Sequence, residues 1–301
     1  MKAALLTGYG GVDKLELRDV PEPKVGPTDI KVRVAGASIN PVDWKLRSGA
    51  MKAWRPLEFP AILGRDASGT VVEVGSGVAT FKPGARVLGL VQSGYAELVV
   101  AAVDAWAEVP AKLDLVDAGA LPLVLLTGAQ LVEEGLNPRA KDVVLVTGAL
   151  GSVGRVAVFA AKARGATVWA GVRRTQRAEA AKLAADGVVV LDDEGELAKL
   201  PSLDGVADTV GGETTQKILG KVKSGGTIGS VLGEPAGAKD RGFVVRAVLA
   251  HPDAKRLADL VQAVAQGKLV IPIARRFPLA EVRAAHQLAE KGPGGKVVLT
   301  P

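Results

Sequence analysis

The chain has 301 residues, a length at which about two domains of 100 to 200 residues each are expected. Hydrophobic residues make up 48% and charged residues 23%, which excludes a disordered chain, and the absence of cysteine excludes disulfides, thiolate catalysis and thiolate-bound zinc. The net charge of +6 is scattered among acidic residues rather than gathered in a stripe, so a nucleic-acid partner is not expected.

The N-terminal part of the chain predicts a β-rich domain. Its first residues form too short an apolar run for a signal peptide, and nowhere do about 18 apolar residues follow one another, so we expect a cytoplasmic protein with no membrane partner. Up to about residue 118 the chain consists of short β-prone runs between Gly and Pro turns: KAALLT, IKVRVAGASI, GTVVEVG, ARVLGLV and AELVVAA. The C-terminal tail, a helix followed by GGKVVLT, is predicted to return to this domain, which then comprises residues 1–118 and 273–301.

The intervening segment, residues 119–272, has a different rhythm. Short apolar strands alternate with helix-length stretches, as in DVVLVTG, SVGRVAVFAAKARG and ATVWAGV. Strands that are apolar on both faces and separated by helices indicate a doubly wound parallel sheet. The predicted fold class is therefore α/β, with a β-rich domain and a domain built on a doubly wound parallel sheet.

A glycine-rich turn in this segment, VVLVTGALGSVG at residues 143–154, lies between an apolar strand and a small-residue helix. One glycine permits the tight turn, another lets the backbone approach a pyrophosphate, and the third lets helix and strand pack closely. The free N–H groups at the start of the helix attract phosphate. We therefore predict a dinucleotide site, in which the binding residues of the turn are Gly148, Ala149, Gly151, Ser152, Val153 and Gly154.

The end of the next strand predicts which dinucleotide is bound. About 20 residues after the glycines, an NAD enzyme carries an Asp or Glu that binds the ribose 2′-hydroxyl, whereas this chain has Arg173, Arg174 and Thr175. A guanidinium binds a 2′-phosphate through charge-assisted hydrogen bonds. We therefore predict NADPH as the cofactor, with Arg177 as a third candidate for the phosphate. The alternative is that these arginines only begin a solvated helix.

Several segments together resemble the medium-chain dehydrogenase/reductase superfamily and, within it, the zinc-free quinone oxidoreductase, or zeta-crystallin, branch. They are AGASINPVDWKLRSG, FPAILGRDASGTVVEVGSGVATFKPGARVLG, GYAELVVA, LPLVLLTGAQ, TGALGSVG and DTVGG. The resemblance implies a GroES-like catalytic domain, a Rossmann NADPH-binding domain and a homodimer. FVVRAVL is the candidate edge strand for the dimer, because an unpaired strand favours pairing with a second chain.

The zinc ligands of the alcohol dehydrogenases in this superfamily are missing. Ser-Ile-Asn at residues 38–40 stands near the position of a cysteine ligand, and Gly-Arg-Asp at residues 64–66 replaces Gly-His-Glu. His251 and His286 lie elsewhere and are predicted to cap or pack near helices. Without a zinc Lewis acid, we expect hydride transfer to an acceptor that is already polarised, a quinone or an α,β-unsaturated carbonyl, with the proton supplied by solvent.

The resemblance also implies candidate residues around the nicotinamide. Asn40 would orient the nicotinamide ribose or donate to the substrate oxygen, Trp44 would form an apolar wall, and Thr127 would meet the nicotinamide. In the alternative reading, Asn40 and Asp43 cap a helix, Trp44 belongs to the core and Thr127 bonds its own helical turn. Further predicted contacts, at strand ends or in segments that match the family, are Val210, Ser230, Val231, Phe243 and Val245, with Gly295 and Lys296 near the C-terminus.

The sequence thus predicts an NADPH-dependent, zinc-independent oxidoreductase that reduces quinones or α,β-unsaturated carbonyls as small-molecule substrates. Two alternatives remain open at this point. One is an enoyl-thioester reductase, and the other is an NADPH-binding protein with little turnover.

Overall fold

The computed structural model describes all 301 residues. The strands are β1 (Lys2–Leu6), β2 (Leu15–Asp19), β3 (Asp29–Ile39), β4 (Ala61–Ile62), β5 (Asp66–Val74), β6 (Arg86–Leu90), β7 (Leu98–Ala102), β8 (Trp106–Glu108), β9 (Val143–Thr147), β10 (Thr167–Val172), β11 (Gly187–Val190), β12 (Leu203–Asp208), β13 (Val222–Ser230), β14 (Val244–Ala247), β15 (Ile273–Pro278) and β16 (Lys296–Thr300). The helices are α1 (Pro41–Ser48), α2 (Leu115–Ala118), α3 (Pro122–Gln130), α4 (Ser152–Ala163), α5 (Arg177–Ala180), α6 (Glu194–Ala198), α7 (Gly212–Leu219), α8 (Ala254–Ala265) and α9 (Val282–Glu290). None of these helices has the length and apolar character needed to cross a membrane.

The chain forms two compact units, and the first comprises Met1–Leu123 and Pro252–Pro301. It contains a seven-stranded sheet in which β15-β16-β3-β5-β6-β8 is the strand order and β7 also pairs with β3, together with a small sheet of order β2-β1-β4. The C-terminal tail returns here, because β16 pairs antiparallel with β3. The unit also includes residues 119–123 and 252–272, which the sequence had placed in the other domain; α8 lies with this unit and packs against β8.

The second unit, Val124–His251, is built on a six-stranded parallel sheet of order β11-β10-β9-β12-β13-β14. This is the order of dinucleotide-binding folds, with the reversal of strand order between β9 and β12. Successive residues of β9 point to opposite faces: Val144 and Val146 lie in one buried cluster and Leu145 in another. Both faces of the sheet are therefore covered, and the doubly wound parallel sheet predicted from the sequence is confirmed.

Candidate active site

The glycine turn between β9 and α4 has the geometry that its spacing predicts. Gly148 has a left-handed backbone (φ 60°), and a Cβ there would lie 2.6 Å from the hydroxyl oxygen of Thr209. A Cβ on Gly154 would lie 2.2 Å from the carbonyl oxygen of Gly148, so helix and turn approach as closely as only glycine permits. The N–H of Gly151 donates to that same carbonyl at 2.8 Å and closes the turn.

The first turn of α4 leaves backbone donors unused. The N–H of Arg155 donates to the carbonyl of Gly151 at 2.9 Å, whereas the N–H groups of Ser152, Val153 and Gly154 have no acceptor within the protein. A helix N-terminus of this kind carries partial positive charge and accommodates a phosphate group. Ala149 differs from the other predicted residues of the turn, because its N–H is already bonded to Gly171 at 3.1 Å.

Helix α3 brings Thr127 close to this turn. A Cβ on the neighbouring Gly128 would lie 2.5 Å from Cβ of Val156 and 2.7 Å from the carbonyl oxygen of Val153, so α3 packs directly on the start of α4. Thr127 is half-buried, and its hydroxyl has no hydrogen-bond partner in the protein. The alternative in which this hydroxyl bonds its own helix is therefore not observed, and the group is left available to a ligand.

A buried carboxylate that the sequence reasoning missed organises the carboxyl ends of the central strands. Asp208 ends β12 and is fully buried, and its Oδ1 accepts from the hydroxyl of Thr147 at 2.9 Å and from the N–H groups of Val210 and Gly211 at 3.1 and 3.0 Å. The hydroxyl of Ser230 lies 3.5 Å from Oδ2. These bonds fix the loop that follows β12.

Of the residues predicted at these strand ends, Val210 is 44% exposed, Ser230 is buried and Val231 donates its N–H to the carbonyl of Asp208 at 3.2 Å. The structure therefore brings these three together at the carboxyl edge of the sheet, where ligands of open parallel sheets bind. The sequence signal for the missed carboxylate was a single acidic residue that ends an apolar strand.

The structure does not bring Phe243 and Val245, which the match to the family predicts as cofactor contacts, to this edge. Strand β14 runs parallel to β13, and Val245 pairs with Ile228 while Ala247 is level with Ser230. At about 3.3 Å per residue, Phe243 lies roughly 13 Å towards the amino end of the sheet. Its side chain is 9% exposed and belongs to the apolar core. A match to a segment does not give its register in the sheet, so contact of these two residues with the cofactor stays a prediction.

The arginines at the end of β10 are not equivalent. The guanidinium of Arg174 donates to Asp193 at 2.5 Å, and that of Arg177 donates to Glu196 at 2.7 Å. The pKa of both carboxyls lies below its usual range. The main cause for Glu196 is the hydrogen bond from Arg177, whereas the main cause for Asp193 is the N–H of Glu196 at the start of α6, with a smaller contribution from Arg174. The side chain of Arg173 is exposed and makes no ion pair or hydrogen bond. It is the one free guanidinium of the three.

In the first unit, Asn40 lies at the centre of a buried polar network. Its Nδ2 donates to Asp66 at 2.7 Å and lies 3.4 Å from the hydroxyl of Ser38, while its Oδ1 accepts from the ammonium of Lys296. The hydroxyl of Ser38 donates to Asp66 at 2.5 Å, and the backbone N–H of Leu123 donates to the other carboxylate oxygen at 2.5 Å. Asn40 is 1% exposed, and its amide is fully used within the protein.

Lys296 is the cation of this network. Its ammonium also lies 3.4 Å from the carbonyl of Ile39 and 3.8 Å from the carboxylate of Asp66. Burial lowers the pKa of Lys296, and the carboxylates of Asp66 and Asp43 oppose that shift. The C-terminal strand therefore delivers the positive charge that compensates a fully buried carboxylate, more than 200 residues away in sequence.

Asp43 and Trp44, both in helix α1, make mainly structural contacts. Asp43 accepts the N–H of Asn40 at 2.8 Å, so it caps the helix, while the Asn40 side chain points into the network instead. Burial raises the pKa of Asp43 from 3.8 to about 6, opposed by that N–H and increased by the neighbouring Asp66. Trp44 is half-buried and packs against the apolar core, which agrees with the alternative that Trp44 belongs to the core.

The two histidines have structural surroundings. Nδ1 of His286 accepts from the guanidinium of Arg47 at 3.0 Å, and burial with that positive charge lowers the pKa of His286 to about 3, so it is neutral. Nε2 of His251 lies 3.0 Å from the carboxylate of Glu134, and its backbone N–H donates to Gln130 at 3.1 Å. Both side chains thus pack beside helices.

Comparison with known proteins places the chain in a family. A profile described as an alcohol dehydrogenase GroES-like domain matches residues 26–111, and one described as a zinc-binding dehydrogenase matches residues 183–299. A chloroplast envelope quinone oxidoreductase homolog of Arabidopsis thaliana is 30% identical over 100% of this chain and 98% of its own length. An acryloyl-coenzyme A reductase of Metallosphaera sedula is 29% identical over the full length of both.

A solved structure, the quinone oxidoreductase from Coxiella burnetii, superposes with a TM-score of 0.88 at 31% identity, covering 100% of this chain and 99% of that one. Relatives from Bos taurus, Mus musculus and Homo sapiens, 31%, 32% and 31% identical over 91% of this chain and 82% of their own length, are named mitochondrial NAD(P)H oxidoreductases. The predicted GroES-like domain and Rossmann sheet are confirmed by these matches together with the strand order. The chain belongs to the medium-chain dehydrogenase/reductase superfamily of oxidoreductases and has quinone oxidoreductases among its relatives.

Proposed function

We propose that this protein is an NADPH-dependent reductase that transfers hydride to quinones or α,β-unsaturated carbonyls without zinc. The observation that carries the proposal is the network around Asn40. The ammonium of Lys296 lies there beside Asn40 and Asp66, in the segments that correspond to those holding zinc ligands in the alcohol dehydrogenases. Quinone oxidoreductases among the relatives support the class of acceptor.

The donor set does not fit a catalytic zinc. Such a site needs about three Cys, His or carboxylate ligands. The network offers the buried carboxylate of Asp66 with an amide, a hydroxyl and a competing ammonium, and the nearby carboxylate of Asp43 is engaged at the start of α1. No group of three or more His, Asp or Glu residues in the chain is arranged to hold a metal ion. We expect dialysis against a chelator to leave the rate of NADPH oxidation unchanged; a loss of rate that zinc restores would contradict zinc independence.

The preference for NADPH rests on Arg173. The 2′-phosphate would meet its unpaired guanidinium, because Arg174 and Arg177 are already paired with carboxylates. We expect Arg173→Ala to raise the KM for NADPH about tenfold and to leave the KM for NADH within twofold. Arg174→Ala is the matched control, with both constants changed less than threefold. Equal effects of Arg173→Ala on the KM values for the two cofactors would show that this arginine does not bind the 2′-phosphate.

A panel assay tests the reaction itself. NADPH oxidation would be followed with ortho-quinones, para-quinones, simple enones and an enoyl thioester. We expect turnover with quinones or enones. Selective turnover of the thioester would favour the second candidate, an enoyl-thioester reductase, which the acryloyl-coenzyme A reductase relative supports. A blank panel with retained NADPH binding would favour a binding protein.

Two further predictions accompany the proposal, a homodimer and a cytoplasmic location. Strand β14 pairs only with β13, so its other edge is open; Val244 in the strand is 43% exposed, and Leu249 just after it is 64% exposed. An open strand edge favours pairing with a second copy. Sedimentation that shows a monomer at micromolar concentration would contradict the dimer.

A further inference from the structure

The charged guanidinium of Arg65 has no ion-pair or hydrogen-bond partner within the protein. The side chain is half-buried, and its Nε–H is buried without a hydrogen-bond partner. The guanidinium makes no ion pair and no hydrogen bond with any other residue. Leaving a buried donor unpaired costs about 1 to 3 kcal/mol, and more when the group is charged. A group kept at this cost is a candidate for contact with a ligand.

The backbone holds Arg65 beside the polar network. The preceding Gly64 has φ 100°, and a Cβ there would lie 2.5 Å from the ring of Tyr95, while the carbonyl of Arg65 accepts the N–H of Val91 at 3.0 Å. The next residue, Asp66, belongs to the network. In that network the amide of Asn40 is saturated, so Arg65 supplies the unused donors at this place.

A second cation lies close to Arg65. The guanidinium of Arg55 donates to Gln92 at 3.0 Å, and Gln92 follows the Val91 that bonds to Arg65. The pKa of Arg65 is lowered, first by burial and then by repulsion from Arg55; the charges of Asp43 and Asp66 oppose the shift but neither forms an ion pair with Arg65. Two neighbouring guanidiniums, one without a partner, favour the arrival of negative charge.

We propose that Arg65 donates a hydrogen bond to the acceptor oxygen that becomes negative when hydride arrives, so that the site binds an enolate or hydroquinone-monoanion oxygen. This inference rests on the proposed function. A hydride would form a C–H bond at the β-carbon of an enone and leave the dinucleotide oxidised, while the C=C π pair becomes the enolate C=C bond and the C=O π pair moves to the oxygen. With a quinone, the same addition at a ring carbon would give an enolate, which becomes the hydroquinone monoanion when that carbon gives up a proton and the remaining carbonyl oxygen takes one from solvent. Arg65 remains protonated throughout, and a solvent proton then neutralises the oxygen. Fixed donors aimed at developing charge lower the barrier of such a step.

The test uses 4-nitrophenol, whose phenolate resembles the charged oxygen, and 4-nitroanisole, its neutral counterpart. Binding to the full chain would be followed by absorbance across pH 5 to 9, with and without NADP⁺. We expect the wild-type protein to prefer the phenolate and to lower the pKa of the bound phenol. Arg65→Gln should weaken phenolate binding at least tenfold and leave 4-nitroanisole within twofold. Arg33→Met, which removes an exposed arginine of strand β3, is the control and should match the wild type.

Folding and turnover separate the possible outcomes. Because Arg65→Gln removes a poorly compensated charge, its thermal midpoint should equal or exceed that of the wild type. With a quinone or enone that is reduced, kcat should fall at least tenfold at an unchanged KM for NADPH. Unchanged phenolate binding in Arg65→Gln, or no phenolate preference in the wild type, would overturn the inference even if acceptors are reduced. Arg65-dependent phenolate binding with a blank acceptor panel would overturn the proposed function, and with it the role of Arg65 in reduction, while confirming Arg65 as an anion-binding residue.

Discussion

The two units of this protein build their polar sites in different ways. In the second unit, the donors around the glycine turn come from one short stretch, residues 147–154, in which a strand passes directly into a helix. In the first unit, the network joins Ser38 and Asn40 to Asp66, Leu123 and Lys296, which lie on separate strands and helices. The glycine turn depends on the spacing of neighbouring residues, whereas the network forms only after the sheet of the first unit has assembled.

Because of this difference, different substitutions are expected to disrupt the two sites. The glycine turn fails when a single backbone approach is blocked, because its groups belong to neighbouring residues. The network fails when any one distant partner is lost, because a buried charge is then left without compensation. The following substitutions test this contrast, beginning with the largest expected effect.

Lys296→Met should cost about 3 to 5 kcal/mol of unfolding free energy, because it leaves the buried carboxylate of Asp66 without its cation. Urea unfolding measures this loss, and adding Asp66→Asn to the variant should recover part of it. Lys2→Met is the control: Lys2 pairs with Asp19 at the surface, where the side chains are 54% and 80% exposed, and its loss should cost less than about 1 kcal/mol. Equal costs for the two lysines would remove the contrast between the units.

Gly154→Ala should cost about 3 kcal/mol in the second unit, because the added Cβ would stand 2.2 Å from the carbonyl oxygen of Gly148, a backbone atom that cannot rotate away. Fluorescence titration should show NADPH affinity reduced at least tenfold. Gly220→Ala is matched in size and places its Cβ where nothing lies within 4 Å, so it should change stability by less than about 0.5 kcal/mol. If both variants behave alike, close packing is not what the turn requires.

Asp43→Asn should change how stability depends on pH. The folded pKa of Asp43 is raised to about 6 from 3.8, so the folded state binds the proton more tightly and stability falls as pH rises through this window. The shift corresponds to about 3 kcal/mol at most, so we expect the wild type to lose about 2 kcal/mol relative to Asp43→Asn between pH 4 and pH 7. Parallel pH profiles of the two proteins in urea unfolding would show that Asp43 is not the titrating group.

The sequence predicted the parts of the site that depend on neighbouring residues. The alternation of apolar strands and helices gave the doubly wound sheet, and the spacing of three glycines gave a turn in which Gly148 and Gly154 meet. The sequence itself shows arginines at the position where an NAD enzyme carries an Asp or Glu. The sequence does not show which of these arginines is free, because Asp193, just before α6, and Glu196, within α6, pair with Arg174 and Arg177.

The tertiary structure alone decided three further points. Strand register moved Phe243 and Val245 away from the carboxyl edge of the sheet. The return of β16 beside β3 placed Lys296 against Asn40, 256 residues away in sequence, and so occupied an amide that the sequence had assigned to the nicotinamide ribose or the substrate oxygen. The same assembly left Arg65 without a partner. Local patterns fix the conformation of adjacent residues, whereas compensation of buried charge depends on which distant strands become neighbours, and no local pattern encodes that choice.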